Sequence, residues 1–92
     1  MISTESRPRL AAKTRLRFDR HSARYMLLYP ERGLVLSETA ADVLQRCTGE
    51  LTVGAIVDEL ARKYDRDAPV VERDVLAFLR TMADRGLVQA SA

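Results

Sequence analysis

The sequence predicts an α+β fold in which a small three-stranded antiparallel sheet is followed by a bundle of three helices. Residues 15 to 19 alternate polar with apolar side chains, and the apolar runs that follow, up to residue 36, are bounded by turn-forming residues, as strands are. Beyond residue 36, three segments repeat apolar residues at helical spacing, and each begins near a residue that caps helices. The 92 residues suit one domain with one modest core.

Two strands are predicted at the start of this region. The first is RLRFD, residues 15 to 19, in which Leu16 and Phe18 share the buried face. A turn at residues 20 to 23 leads into the second, RYMLLYP, which is rich in aromatic and aliphatic residues. The short link makes the two strands antiparallel neighbours.

A hairpin then leads to the third strand. Pro30 can fix the first corner of a turn, and Gly33 can take the positive φ that closes a four-residue connection. The returning strand is Leu34 to Leu36. A sheet this small leaves unpaired edges.

The first two helices have clear boundaries. Ser37 is a good N-cap for a helix over residues 38 to 47, and Gly49 ends it. Thr52 caps the second helix, which runs to Tyr64 and carries one continuous apolar stripe.

The third helix is predicted from Asp67, a candidate cap, to about Arg85. Pro69 suits its first turn, and Gly86 stops it. The tail after Gly86 is expected to pack two apolar residues and then to fray.

Residues 1 to 14 are predicted to form a flexible basic N-terminal arm, with the folded domain spanning residues 15 to 92. The first 17 residues carry a net charge of +4 and no apolar periodicity. They contain five basic side chains and one acidic side chain, namely Arg7, Arg9, Lys13, Arg15 and Arg17 against Glu5. The N-terminus lacks the apolar core of a signal peptide, and no run is long enough to span a membrane. A cytoplasmic protein without a membrane partner is expected.

The sequence offers no candidate catalytic or metal site. Cys47 is the only cysteine and His21 the only histidine, so a zinc or iron-sulfur site would lack ligands. The four glycines are dispersed and form no phosphate-binding loop. A binding module without enzymatic activity, metal or cofactor is therefore expected.

The third helix has more apolar surface than a core stripe needs. The predicted core stripe is made of Val71, Val75, Phe78, Leu79 and Met82. Beside it lies an apolar shoulder bordered by arginines, made of Leu76 and Ala83 next to Arg73 and Arg80. Such a shoulder could form one wall of a binding groove, or it could pack against the N-terminal segment or a second copy of the chain.

Residues 27 to 64 read LLYPERGLVLSETAADVLQRCTGELTVGAIVDELARKY. The match to a known family lies in Tyr29-Pro30-Glu31 before the hairpin glycine, Leu34 to Ala40 entering the first helix, Gly49, and the helix from Thr52 to Tyr64. In these features the chain resembles the PqqD family of pyrroloquinoline quinone (PQQ) biosynthesis. Ser37 stands where Asn is expected and Thr48 where Asp is common, but both substitutes can cap or turn.

The resemblance implies a peptide chaperone with a winged-helix-like fold. Such proteins bind the precursor peptide PqqA by strand addition and present it to PqqE, a radical S-adenosylmethionine (SAM) enzyme. Related domains are recognition elements for the leader peptides of ribosomally made, modified natural products (RiPPs). The implied peptide-binding residues are Leu34, Val35 and Leu36 on the strand, with Leu76, Leu79, Arg80 and Ala83 as the opposite wall.

Two alternatives come from other classes. One is a winged-helix DNA-binding protein, but the acidic Glu72, Asp74 and Asp84 on the third helix would be repelled by phosphate, so no nucleic-acid partner is expected. The other is a structural domain that forms a homodimer through the same shoulder and sheet edge.

Overall fold

The computed structural model describes residues 1–91 and contains five strands and three helices. In chain order these are β1 (Arg7–Leu10), β2 (Arg15–Asp19), β3 (Arg24–Tyr29), β4 (Arg32–Val35), α1 (Glu38–Gln45), α2 (Val53–Tyr64), α3 (Ala68–Asp84) and β5 (Val88–Ser91). The strands form one antiparallel sheet in the order β2-β3-β4 and a second antiparallel pair, β1-β5. The α+β prediction of a three-stranded sheet followed by three helices is confirmed. None of the helices in residues 1–91 is both long and apolar enough to cross a membrane.

The helix starts follow the predicted caps in two cases of three. The Ser37 hydroxyl accepts a hydrogen bond from the Ala40 N–H at 3.2 Å, and the Thr52 hydroxyl accepts one from the Ala55 N–H at 3.1 Å. Asp67 stands at the N-cap of α3 but makes no side-chain capping bond. These side chains satisfy N–H groups that a helix cannot pair internally.

The β3–β4 hairpin is tighter than predicted. Only Pro30 and Glu31 connect the strands, and Tyr29 pairs with Arg32. Glu31 adopts the left-handed backbone, with φ of 66°, so the predicted four-residue turn with positive φ at Gly33 is wrong. Pro30 fixes the first corner, which leaves the second position of the two-residue turn to take the positive φ.

The core lies between the helices and the inner face of the three-stranded sheet, which is the face that carries Leu27. Leu27 is fully buried, as are residues from all three helices. The largest fully buried side chains are Leu27, Leu44, Ile56, Leu79, Val53 and Pro8. Pro8 is notable in this set because it belongs to the segment that the sequence suggested would be loose.

Residues 1–14 do not form a flexible arm in the structure. β1 pairs with β5 from Arg7 opposite Ser91 to Leu10 opposite Val88. Ile2 is only 6% exposed and belongs to the core cluster. The predicted domain boundary at residue 15 and the predicted fraying of the C-terminal tail are both corrected, although Ala92 lies outside the described residues.

The N-terminal segment, residues 1–10, also completes the start of α2. The Ser6 carbonyl accepts the Val53 N–H and the Thr4 carbonyl accepts the Gly54 N–H, each at 2.9 Å. Together with the Thr52 cap these contacts satisfy the first N–H groups of the helix. The segment is therefore held by backbone bonds, which its basic side chains do not reveal.

Candidate peptide-binding site

β4 is an edge strand with backbone groups that face away from the sheet. The Leu36 N–H donates to the Tyr25 carbonyl at 2.9 Å, so residues 25 and 36 form a hydrogen-bonded pair. Opposite residues in an antiparallel ladder alternate between bonded and non-bonded pairs. Leu34 and Arg32 therefore bond to β3, whereas Gly33 and Val35 turn their N–H and C=O groups outward. These outward groups are available to a further strand.

Helix α3 runs alongside β4. At one end, Arg85 donates from Nη2 to the Tyr29 hydroxyl at 3.1 Å, next to the first residue of β4. At the other end, Asp74 and Phe78 line a cleft together with Ser37, which follows β4. From Asp74 to Arg85 a helix rises about 16 Å, which matches the roughly 17 Å of extended chain from residue 32 to 37. The helix and the strand make at most marginal contact with each other, and we infer that a groove lies between them.

The cleft at the end of this groove has a volume of about 260 Å³ and lies among the three helices. Polar side chains, including Thr39, Arg66 and Asp74, also contribute to it. Its apolar lining is made of Ala40, Val43, Leu60, Val71, Val75 and Phe78. A cleft with this lining can receive an apolar side chain of a bound peptide.

The predicted strand residues have three different environments. Val35 is 54% exposed, and its side chain points away from the helices. Leu34 is half-buried on the inner face and packs against the core. Leu36 is 5% exposed and uses its N–H within the sheet, so a direct contact between its side chain and a peptide is corrected. The assignment of Leu34 and Val35 to peptide binding stays a prediction.

The predicted wall on α3 lies on the flank of the helix that does not line the cleft. Arg80 donates from Nε and Nη2 to the Ile2 carbonyl at 3.0 and 2.9 Å, and so faces the N-terminal segment. Leu76 and Ala83 are on this same flank and are partly buried against the core. Leu79 has no exposed surface. The alternative that the shoulder packs against the N-terminal segment fits these contacts, and the assignment of these residues to a peptide-binding wall stays a prediction.

Other side chains of α3 line the cleft at the end of the groove. Val75 and Phe78 were predicted as core, but Phe78 is half-buried and both line the cleft. Asp74 and Arg85 lie on the same flank of α3 as Phe78. The signal in the sequence was the breadth of the apolar arc of α3, which exceeds one core stripe. Periodicity alone does not say which side of a broad arc faces a neighbour.

A buried ionic cluster joins α1 to α2 beside the cleft. The Asp42 carboxylate accepts hydrogen bonds from Lys63 Nζ at 2.9 and 3.0 Å, from Arg46 Nη1 at 3.4 Å and from the Tyr64 hydroxyl. Burial acts to raise the pKa of Asp42, but the bonds from Tyr64 and Lys63 outweigh it and lower the pKa below its usual value. The hydrogen bond between the Tyr64 hydroxyl and the Asp42 carboxylate raises the pKa of Tyr64 to about 12. Because Tyr64 lines the cleft, this cluster fixes part of its wall.

Cys47 is a free and buried cysteine. Burial raises the pKa of the Cys47 thiol to about 12, and the thiol donates to the Val43 carbonyl at 3.2 Å. A thiol with so high a pKa is a poor nucleophile at neutral pH. Within residues 1–91, no group of three or more His, Cys, Asp or Glu side chains is placed to hold a metal ion.

The arginines of α3 are engaged within the chain. Arg80 contacts the Ile2 carbonyl, Arg85 contacts the Tyr29 hydroxyl, and Arg73 lies 3.7 Å from Asp74. A recognition helix needs cations directed at phosphates and bases. These contacts do not favour the DNA-binding alternative.

The fold and the groove define a small peptide-recognition type of domain, with a short free strand edge beside an apolar cleft. Comparison with known proteins agrees with this class. The family model described as "Coenzyme PQQ synthesis protein D (PqqD)" matches residues 24–88, which is more than half of the chain. The chain belongs to the PqqD family.

Several relatives match nearly the whole chain. A "PqqA binding protein" of Rhodopseudomonas palustris (strain BisB5) is 41% identical over 87 residues, covering 95% of this chain and 85% of the relative. A protein of the same description from Xanthomonas oryzae pv. oryzae (strain PXO99A) is 36% identical over 88 residues, covering 96% of both. Because 95% or more of this chain is covered, each match includes β1.

Two solved structures share the fold. The solution structure of the PqqD truncation of Methylobacterium extorquens PqqCD, described as a functional and stand-alone RiPP recognition element, has a TM-score of 0.83 at 35% identity. The alignment covers 97% of this chain and 95% of that one. The crystal structure of PqqD from Xanthomonas campestris has a TM-score of 0.60 at 36% identity, covering 97% and 99%.

Proposed function

We propose that this protein binds the precursor peptide PqqA in PQQ synthesis, and that the peptide adds as a strand to the free edge of β4. The observation that carries the proposal is the outward-facing backbone of Gly33 and Val35 beside the groove to α3. Relatives named as PqqA binding proteins, similar over 95% or more of the chain, support the choice of peptide.

In strand addition, backbone groups supply affinity and side chains supply selectivity. The N–H and C=O groups of Gly33 and Val35 bond to the peptide backbone and supply affinity that is independent of its sequence. Alternate peptide side chains then point toward the α3 side, where Phe78 and the apolar cleft provide selectivity. The remaining side chains lie on the outer face of the sheet, next to Val35.

The short edge suits a carrier that releases its peptide. Only two residues of β4 offer outward groups, so few backbone bonds can form, each contributing roughly 0.5 to 1.5 kcal/mol. We propose that the protein presents PqqA to the radical SAM enzyme PqqE and performs no chemistry itself. We also propose the cytoplasm as its compartment, which agrees with a single cysteine that forms no intrachain disulfide.

The experiment that tests strand addition is a titration of Val35→Pro with PqqA. Proline at position 35 removes an outward N–H that the β3–β4 ladder does not use, so the fold should persist. Loss of one or two hydrogen bonds to the bound peptide, with the packing that accompanies them, should weaken binding by about ten- to a hundredfold. Calorimetry or fluorescence anisotropy measures the dissociation constant, and an amide NMR spectrum checks the fold.

Val35→Thr is the matched control, because it keeps the N–H and nearly the same side-chain shape. It should bind PqqA within about threefold of the wild type, since a single exposed methyl group contributes little. Amide shifts on adding the peptide should concentrate at residues 33 to 37 and 74 to 85. Unchanged binding by a folded Val35→Pro protein would refute strand addition at β4, whereas no binding of PqqA by the wild type would refute the choice of peptide.

A further inference from the structure

The three-stranded sheet has an outer face, which points away from the helices. Residues opposite each other in the register share a face, and Leu27 marks the inner face by its complete burial. The outer face therefore carries the alternate residues of each strand. They are Arg15, Arg17 and Asp19 of β2, Arg24, Met26 and Leu28 of β3, and Gly33 and Val35 of β4.

The centre of the outer face is apolar. Met26 and Leu28 are half-buried, and Val35 is 54% exposed. Gly33 lets these side chains meet, because a Cβ at that position would lie 3.1 Å from Leu28 Cδ2 and 3.2 Å from Met26 Cε. The absence of a side chain at Gly33 thus creates one continuous apolar patch at the β4 side of the sheet.

The border of this patch is positively charged. Arg15, Arg17 and Arg24 are exposed, and none of them forms a salt bridge with another residue of the described chain. Asp19 is the one acid on this face, and it already accepts hydrogen bonds from the Ser22 hydroxyl at 2.9 Å and the His21 N–H at 3.1 Å. An apolar centre with unpaired arginines at its border has the composition of a protein interface.

We propose that the outer face docks a folded partner protein that presents an apolar patch bordered by carboxylates. Charge complementarity selects this occupant. A second copy of the chain meeting the same face would oppose arginines to arginines, which is unfavourable in a symmetric contact. A nucleic acid would pair with the arginines but would leave Met26, Leu28 and Val35 without apolar contacts.

The position of this face connects it to the peptide groove. A strand added to β4 lies directly beside Val35, so its outward side chains extend the outer face. A partner docked there would contact the carrier and its peptide together. On the basis of the proposed function, the partner is the enzyme that modifies the bound peptide.

The test measures binding of purified PqqE to the wild type and to the double variant Arg15→Glu/Arg17→Glu by surface plasmon resonance. Charge reversal at the border should slow association about tenfold or more and reduce its salt dependence. Met26→Ser should instead speed dissociation, because it removes apolar contact. Neither variant changes the groove, so both should bind PqqA within about twofold of the wild type, an energy difference of less than RT.

Arg62→Glu/Arg73→Glu is the matched control. It makes the same change of net charge at exposed positions on α2 and α3, and it should leave PqqE binding nearly unchanged. Equal losses in both double variants, unchanged binding by Arg15→Glu/Arg17→Glu, or no binding of PqqE by the wild type would each overturn the proposal. The proposal would also be overturned if the wild type forms a dimer in sedimentation and the outer-face variants abolish it. Binding of random duplex DNA that the same variants abolish would overturn it as well. PqqE binding that is weakened by Arg15→Glu/Arg17→Glu, together with PqqA binding that Val35→Pro leaves unchanged, would support the docking face while contradicting strand addition.

Discussion

Ile2→Ala should lower the free energy of unfolding markedly, although Ile2 is only the second residue of the chain. Ile2 is 6% exposed and packs in the core cluster, while its carbonyl accepts two hydrogen bonds from Arg80. At about 0.8 kcal/mol for each buried methylene, the three carbons that distinguish isoleucine from alanine amount to about 2.4 kcal/mol. Cavity terms can raise such losses to about 5 kcal/mol, but a terminal segment can relax, so we expect the lower value.

Thermal and urea unfolding followed by circular dichroism measure this loss. For a domain of this size, about 2.4 kcal/mol lowers the melting temperature by roughly 10 to 20 °C. Val35→Ala is the control, because it truncates an exposed β-branched side chain and should cost about 0.5 kcal/mol or less. Equal effects of the two substitutions would mean that the N-terminal segment is not part of the cooperative fold, as a flexible arm would predict.

Two further substitutions test the buried ionic cluster and the end of α3. Asp42→Asn should lose about 1.5 to 3 kcal/mol near neutral pH, because it removes charge-assisted hydrogen bonds. Because the pKa of Asp42 is lowered in the folded state, the carboxylate contributes to the free energy of unfolding above the unfolded pKa of about 3.9. This contribution is lost as the pH falls through the folded pKa. Urea melts of the wild type and Asp42→Asn should therefore converge in acid and not in base. Gly86→Ala should lower the free energy of unfolding by about 1 to 2 kcal/mol because the φ of Gly86 is 74°, while no atom lies within 4 Å of the added Cβ. Gly86→Asn should lower it less in the same melts.

Local patterns predicted the elements whose signals are themselves local. Ser37 and Thr52 cap α1 and α2 as expected, because a capping hydroxyl acts within three residues of its own position. The alternation in β2 placed Leu16 and Phe18 on the same face as Leu27, although Phe18 is 47% exposed. The hairpin residue with positive φ was misplaced because Gly33 offered a better propensity than Glu31. Spatial crowding by Met26 and Leu28 explains the glycine instead.

Non-local contacts account for the features that the sequence did not reveal. β1 is four residues long and pairs with β5 at the other end of the chain, so neither strand has a neighbour in sequence to indicate it. Its arginines suggested a solvated arm, although the backbone bonds to the start of α2 do not depend on side-chain type. The contact of Arg80 on α3 is also non-local, because its partner is residue 2.

The N-terminal segment and the peptide groove are thus linked through α3. This helix carries an apolar arc too broad for the core, and it needs cover on one flank. The segment contacts that flank at Arg80, whereas the flank with Phe78 lines the cleft at the end of the groove beside β4. If the segment detached, the first flank would become a second apolar surface without an adjacent strand edge. The segment therefore does more than stabilise the fold, because it limits the open apolar surface of α3 to the side where a strand can pair.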